Sequence, residues 1–293
     1  MRDVETIIRA CIDVAKSIGA PIICLSDLPV EADDVPVIIA ANNMLNVDTL
    51  LSPVGSSSEG EQILRISSRV ASEGETAEKQ VSDAGVTSFI RGVLDGGVVV
   101  GLVELPDAIS IVVHDLDENP VMKEIMDCGD RVDIRLLVSV LNIAFDIASF
   151  GMEGVSIGCA FIIGDVEEVM HRSHQLVLNP YYGHRREERD VLDPSTWETV
   201  KEFAQLDGVI VIDDEGIVVA AGRYLDVDAS EISIKQGLGA RHAAVAAITR
   251  DTQAVGVAVS QTGGTIRIFK DGIAVVEIDP TTKITGVRGI GIK

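Results

Sequence analysis

Gly237-Leu238-Gly239-Ala240-Arg241-His242-Ala243-Ala244 opens an Ala-rich segment of helical pattern, and the apolar run Ala254 to Val259 follows it. The helix and the strand after it fit an α/β fold, and near the start of the chain a helix followed by the short continuous runs Ile22 to Leu25 and Val37 to Ala41 suggests a parallel sheet covered on both faces. The two glycines let the backbone bend tightly and approach a ligand closely. The first amides of the helix have no partner inside it and carry the positive end of its dipole, so the same spot suits an anion. Arg241 adds a forked donor and His242 a second one, cationic or neutral. The arrangement points to the phosphates of a nucleotide.

Working outward, the neighbouring segments carry the same α/β signature. Thr196 to Phe203 reads as a helix capped by Ser195 or Asp193. Gly208 to Ile212, the turn Asp213-Asp214-Glu215-Gly216, and Ile217 to Ala221 read as a hairpin, and so do Thr265 to Phe269, Lys270-Asp271-Gly272, and Ile273 to Val276. Upstream, Leu136, Leu137, Val140, Leu141, Ala144, Ile147 and Ala148 form one long apolar helix face, with Phe150 and Met152 as core at its far end, and Gly158 to Ile163 is a buried strand. The stretch His171 to Asp193 is polar and Arg-rich. Its histidines, His171, His174 and His184, lack a carboxylate at matching helical spacing, so an exposed loop is favoured over a metal site.

A polar, Pro-terminated boundary at His114 to Pro120 divides the chain into residues 1–118 and 121–293. In the first part Val4, Ile7, Ile8, Cys11, Val14, Ala15 and Ile18 recur at helical spacing up to Gly19. Short strands are expected at Ile22 to Leu25, Val37 to Ala41, Val98 to Val103 and Ile109 to Val113, with a helix from Glu75 to Ala84 stopped by Gly85. The small, polar loop Ser52 to Gly60 reads as a flexible connection rather than a phosphate cradle. In order and patterning this part resembles the C-terminal domain of pyruvate kinase. It holds no constellation to which chemistry is assigned.

Composition narrows the partners. The chain has 293 residues, 46% of them hydrophobic and 3% aromatic, enough for two cores. A net charge of −22 argues against nucleic acid or an anionic membrane as a partner, and it requires any polyphosphate to find a local basic pocket or bring a metal. Cys11, Cys24, Cys128 and Cys159 form no close pair, which speaks against zinc or disulfides and for a reducing compartment. The charged start Met1-Arg2-Asp3-Val4-Glu5 runs straight into a helix and is no signal peptide, and no apolar run reaches membrane-spanning length. A soluble, cytoplasmic protein is expected.

Three turns gather the chemistry. Leu206-Asp207-Gly208-Val209 brings a carboxylate to the start of a buried strand; the Arg241–His242 loop is basic; Ser260-Gln261-Thr262-Gly263-Gly264 offers hydroxyls and bare amides at a strand end. One acid, one basic loop and one hydroxyl-glycine loop suit metal-assisted transfer at a phosphate. Taken alone, Asp before Gly marks only a turn.

In order and spacing these turns resemble the diadenylate cyclase (DisA_N, or DAC) family. Its Asp-Gly-Ala motif matches Asp207-Gly208-Val209, its Gly-Thr-Arg-His-Arg motif matches Gly239-Ala240-Arg241-His242-Ala243, and its Ser-Glu-Glu-Thr-Gly motif is echoed by Ser260, Gln261, Thr262 and Gly263. The match covers roughly 121 to 293 and looks most similar to the archaeal branch. The departures are Leu206 where the family often has a metal-binding His, Ala243 where it has a second Arg, and Gln261 in place of the paired Glu. The resemblance implies a mixed sheet surrounded by helices that condenses two ATP into cyclic di-AMP and two pyrophosphates across a face-to-face pair of protomers. Asp207 would orient or deprotonate the 3′-hydroxyl, through Mn²⁺ or Mg²⁺, and would be the metal residue. Arg241 and His242 would neutralise phosphate charge. Gly208, Val209, Gly239 and Ala240 would pass their backbone near the ATP, Leu225 would lie against the adenine, and Ser260 and Thr262 would hold terminal phosphates. The alternative is a catalytically silent nucleotide-binding or sensor protein on the same fold.

Overall fold

The computed structural model describes residues 2–26, 28, 30, 32, 34–41, 66–67, 76–105, 108–151, 155–230, 232, 239–280, 283–284 and 286–288. Of the sequence expectations, the loop Ser52 to Gly60 and the residues Gly237, Leu238, Glu75 and Met152 lie outside them. The chain divides into two compact units, one made of residues 1–122 with 281–293, the other of Lys123–Pro280.

The first unit builds helices α1 (Arg2–Ile18) and α2 (Ala77–Ile90) on strands β1 (Ile22–Leu25), β2 (Val37–Ala41), β3 (Ile66–Ser67), β4 (Val98–Leu105) and β5 (Ala108–Asp115). β1 runs parallel to β2 and β4, and β5 closes one edge antiparallel to β4. The helical spacing read in α1 places Cys11 and Ala15 in a core with Ile22, Cys24, Val37 and Val100. Gly85, expected to stop α2, sits inside it: a Cβ there would lie 2.3 Å from Leu116 Cδ2, so the glycine serves a close contact and the helix continues to Ile90. The last strands, β13 (Lys283–Ile284) and β14 (Gly286–Arg288), pair with β3 and β2, so the chain end returns to this unit instead of staying with 121–293.

The second unit carries α3 (Pro120–Asp127) at its entry, then α4 (Ile134–Phe150), β6 (Cys159–Ile163), α5 (Val166–His171), β7 (Ser173–Gln175), α6 (Trp197–Phe203), β8 (Val209–Ile212), β9 (Val218–Leu225), α7 (Ala240–Asp251), β10 (Val255–Val259), β11 (Ile266–Lys270) and β12 (Ile273–Ile278). Its sheet order is β12-β11-β10-β6-β8-β9-β7, antiparallel throughout except for the parallel pair β6 and β8. This is a mixed α/β sheet. Fully buried β6, β8 and β10 explain the unbroken apolar runs in the sequence. Gly256 in β10 lets α7 settle on the bare strand: a Cβ there would stand 2.3 Å from Val245 Cγ1.

The segment His171 to Asp193, expected as an irregular loop, holds the short edge strand β7. His174 Nδ1 meets Asp226 at 2.8 Å and His184 Nδ1 meets Glu188 at 3.5 Å. Each of these imidazoles has its own carboxylate, and among the described residues no group of three or more His, Cys, Asp or Glu is placed to hold a metal. The four cysteines are buried and none is in a disulfide, and burial pushes the Cys11 and Cys128 thiols up to about 11. None is a ready nucleophile. Among the described residues no helix is long and apolar enough to cross a membrane.

Candidate active site

Strand order brings the three turns to one edge of the second sheet. β6 and β8 are parallel neighbours, so Gly158 and Asp207, which precede them, lie at the same end. β10 runs antiparallel to β6, with Val259 opposite Cys159, so its exit into Ser260 reaches that end too. α7 packs over this sheet with its amino end at Gly239, an extended residue that offers no side-chain cap and has open space on its Cβ side.

Arg241 ties the turns together. Its Nη1 donates to the Gly158 carbonyl, and its Nη2 stands 3.6 Å from Asp207 Oδ1. Gly158 makes room for this: a Cβ would lie 3.0 Å from Arg241 Nη1 and 3.2 Å from the Gln261 amide nitrogen. The Arg241 side chain is 32% exposed and that of Asp207 is 95% exposed. The carboxylate therefore faces open solvent with one cation beside it, free to receive a hydroxyl or a cation from a ligand.

Gly208 follows Asp207 with φ +100°, and a Cβ would fall 2.4 Å from the Arg223 carbonyl oxygen. Only glycine passes here, which is the physical content of an Asp-Gly pair at this turn. Arg223 is buried, with Nε donating to Ser173 Oγ at 2.8 Å and Nη2 to the Met170 carbonyl at 3.0 Å. Burial lowers its pKa, and it braces β9 against α5 and β7.

In the third loop the Ser260 amide donates to the Thr265 carbonyl at 2.9 Å and its hydroxyl to the Thr262 carbonyl at 3.1 Å. Gly263 and Gly264 take φ of +82° and +69°, turning the loop so that Gln261 and Thr262 stay exposed.

Other expected residues are placed differently. His242 points into the core, 5% exposed, with its ring edge-on to Phe269 at 6.2 Å. Burial, and then the charges of Arg267 and Arg241, hold its pKa at about 4, so it is neutral at pH 7 and the anion cradle has Arg241 as its full charge. Val209 and Leu225 are also core residues, packed with Val211, Val245 and Ala258, and Leu225 presents 5% of its surface. Sequence reading missed Gly158, whose carbonyl anchors Arg241; it was legible only as the first residue of an apolar run. It also passed over Arg267, although a lone Arg inside Thr265 to Phe269 breaks an otherwise apolar strand.

Residues 146–274 match the family model described as DAC, DisA bacterial checkpoint controller nucleotide-binding. Over these residues the second unit is similar to that family. Residues 6–117 match a second family model, described as "Probable sensor domain DacZ_A". Among curated proteins the chain is 41% identical over 161 residues to a diadenylate cyclase of Methanocaldococcus jannaschii, covering 55% of this chain and 51% of that protein. It is 40% identical over 152 residues to a diadenylate cyclase of Haloferax volcanii, covering 52% of this chain and 55% of that one. The matches thus span about half the length of these relatives. Among solved structures, a double mutant of DacA from Staphylococcus aureus aligns at 21% identity and TM-score 0.35, covering 47% of this chain and 83% of that one. A hypothetical membrane-spanning protein from Bacillus cereus aligns at 14% identity and TM-score 0.41, covering 54% of this chain and 72% of that one.

Proposed function

We propose that the chain is a diadenylate cyclase that joins two ATP into cyclic di-AMP and releases two pyrophosphates. The observation that carries this reading is the Arg241 bridge. One guanidinium at the amino end of α7 links the exposed Asp207 carboxylate to Gly158, beside the third loop.

Each protomer would hold one ATP with its phosphates at the amino end of α7 and the exposed amides near Gly263. Two protomers would face each other, since one site holds one set of these groups and the reaction consumes two nucleotides. The 3′-oxygen of each ATP forms a bond to the α-phosphorus of the other, the bond from that phosphorus to the bridging oxygen breaks, and pyrophosphate leaves with the electron pair. Asp207 orients the attacking hydroxyl and receives its proton, and Arg241 balances the charge that develops on the phosphate oxygens. The described residues offer one exposed carboxylate here and no cage of ligands, the donor set of a divalent ion that arrives on substrate phosphates. Asp207 is the residue that would hold Mg²⁺ or Mn²⁺, and the ion would supply charge neutralisation. We take the protein to be cytoplasmic, and the first unit to be an α/β domain like the C-terminal domain of pyruvate kinase with a sensing role.

Incubation of the purified protein with ATP and Mg²⁺ or Mn²⁺, followed by chromatography, tests the reading. Cyclic di-AMP and pyrophosphate should accumulate. ATP binding without product under any divalent metal would leave a silent nucleotide-binding protein and overturn the cyclase.

A further inference from the structure

Among the described residues of the second unit four side-chain polar atoms are buried without a hydrogen-bond partner, Tyr181 Oη, Arg189 Nε, His242 Nε2 and Arg267 Nη1, and the last two lie on the packed pair α7 and β11. His242 and Arg267 are 5% and 8% exposed. A buried polar group left unpaired is costly, so two of them in one region require a reason. Their position supplies it. Arg267 lies on β11 opposite Ala258, two residues before Ser260 leaves β10. It shares a strand face with Phe269, two residues on, and the Phe269 ring meets His242 in the first turn of α7. Arg267 acts electrostatically on His242 more strongly than Arg241, its chain neighbour, does. The guanidinium therefore lies in the sheet beneath the first turn of the anion-receiving helix.

Its charge is only partly spent on its neighbour. Glu277 Oε2 accepts from Nε at 3.2 Å and its Oε1 lies 3.1 Å from Nη2 in an ion pair, which leaves Nη1 unengaged. The Glu277 side chain is 45% exposed and water screens it, whereas that of Arg267 is 10% exposed. An independent feature lies on the helix itself. Where the resembled family carries a second Arg, this chain has Ala243, so residues 240–243 hold one full cation. A positive charge is missing from the helix surface, and one is present directly under it.

We propose that Arg267 is a positioning residue for the nucleotide phosphates, supplying from beneath the first turn of α7 the positive charge that Ala243 lacks. His242 is the neutral spacer between that charge and the helix end. The inference rests on the nucleotide-binding part of the reading above and not on cyclisation. A guanidinium suits the task because it stays charged when buried, and its field reaches further in a dry core than at the surface.

Equilibrium binding of ATP and of adenosine, measured by calorimetry in the full chain with Mg²⁺, tests it. Arg267→Gln should weaken ATP about tenfold and leave adenosine unchanged, because only the phosphates sense the charge. Adding Ala243→Arg to that variant should restore ATP binding. Equal loss of both ligands would make Arg267 a structural brace, and unchanged ATP affinity would also overturn the proposal. Should Arg267→Gln fail to fold, Ala243→Arg in the otherwise native chain decides. A gain under about twofold is expected where the charge is already supplied, and a gain of about tenfold would refute it. If the native chain binds no ATP, the nucleotide reading itself fails; if it binds ATP and makes no cyclic product, only the cyclase reading fails.

Discussion

The two sheets solve one packing problem alike and end differently. In the first, a Cβ on Gly101 of β4 would lie 2.1 Å from Val81 of α2; in the second, a Cβ on Gly256 of β10 would lie 2.3 Å from Val245 of α7. Each sheet thus keeps a bare strand residue under a valine of the covering helix, which brings helix and sheet close. At the strand ends the likeness stops. The second unit sets Asp207-Gly208, the amino end of α7 with Arg241, and the Ser260 to Gly264 loop at one edge, while the described residues of the first unit set no such group together. Core construction is shared, and the chemistry lies in what one sheet carries at its rim.

The largest effect that separates rim from core is expected at Asp207. Asp207→Asn removes the charge and keeps the shape of a side chain that is 95% exposed. Cyclic di-AMP synthesis should fall about 10³-fold. Trp197 is the sole tryptophan and lies in the second unit, so its fluorescence melt should stay where it was. A variant as active as the native chain would remove Asp207 from the mechanism.

Gly256→Ala and Gly101→Ala address the shared device. Each new methyl would overlap a valine methyl of the helix above, at an expected cost of about 3 kcal/mol. The Gly256 variant should lower the Trp197 melting temperature, and the Gly101 variant should speed amide exchange in β1 and β4. If either methyl is accommodated without loss, close helix approach is not what that glycine secures.

His242 gives a pH-dependent version of the same contrast. Its folded pKa of about 4 lies below the ordinary imidazole value of 6.5, so between these values the unfolded chain binds a proton that the folded chain refuses. This contribution to stability is complete above pH 6.5, falls as the pH is lowered toward 4, and amounts to about 3 kcal/mol in total. His242→Gln should remove that share of the acid loss, seen as a flatter Trp197 stability curve from pH 6.5 to 4. An identical slope in both proteins would mean that His242 is not held neutral.

Much of this was legible in the sequence. The apolar runs that became β6, β8 and β10 are continuous because helices cover both faces, and periodicity reads that directly. Asp207, Arg241 and the Ser260 loop stood out because Gly, Arg and hydroxyl residues interrupt those runs at their ends. What stayed hidden depends on which strand lies beside which. Gly85 looked like a helix stop because its neighbour Leu116 is distant in sequence. His242 looked like a ligand contact because helical position alone does not say that it faces Phe269. β7 escaped because so short a strand carries too little period.

The smallest effect should come at Gly158, the residue that sequence did not mark. Its φ is not in the left-handed region, so alanine brings no backbone strain. The new Cβ would lie 3.0 Å from Arg241 Nη1, 3.2 Å from the Gln261 nitrogen and 3.3 Å from Gln261 Cβ, tight enough that something must give by a few tenths of an ångström. The guanidinium is the softer neighbour, being at the end of a flexible chain, whereas Gln261 N is backbone. Arg241 should therefore yield, loosening its bond to the Gly158 carbonyl and its approach to Asp207. Gly158→Ala should lower kcat about tenfold with KM for ATP within about twofold and the Trp197 melt unmoved, because a displaced guanidinium is felt most where charge develops in the reaction. A rise in KM with unchanged kcat would mean that Arg241 grips the ground-state nucleotide and that its link to Gly158 serves binding alone.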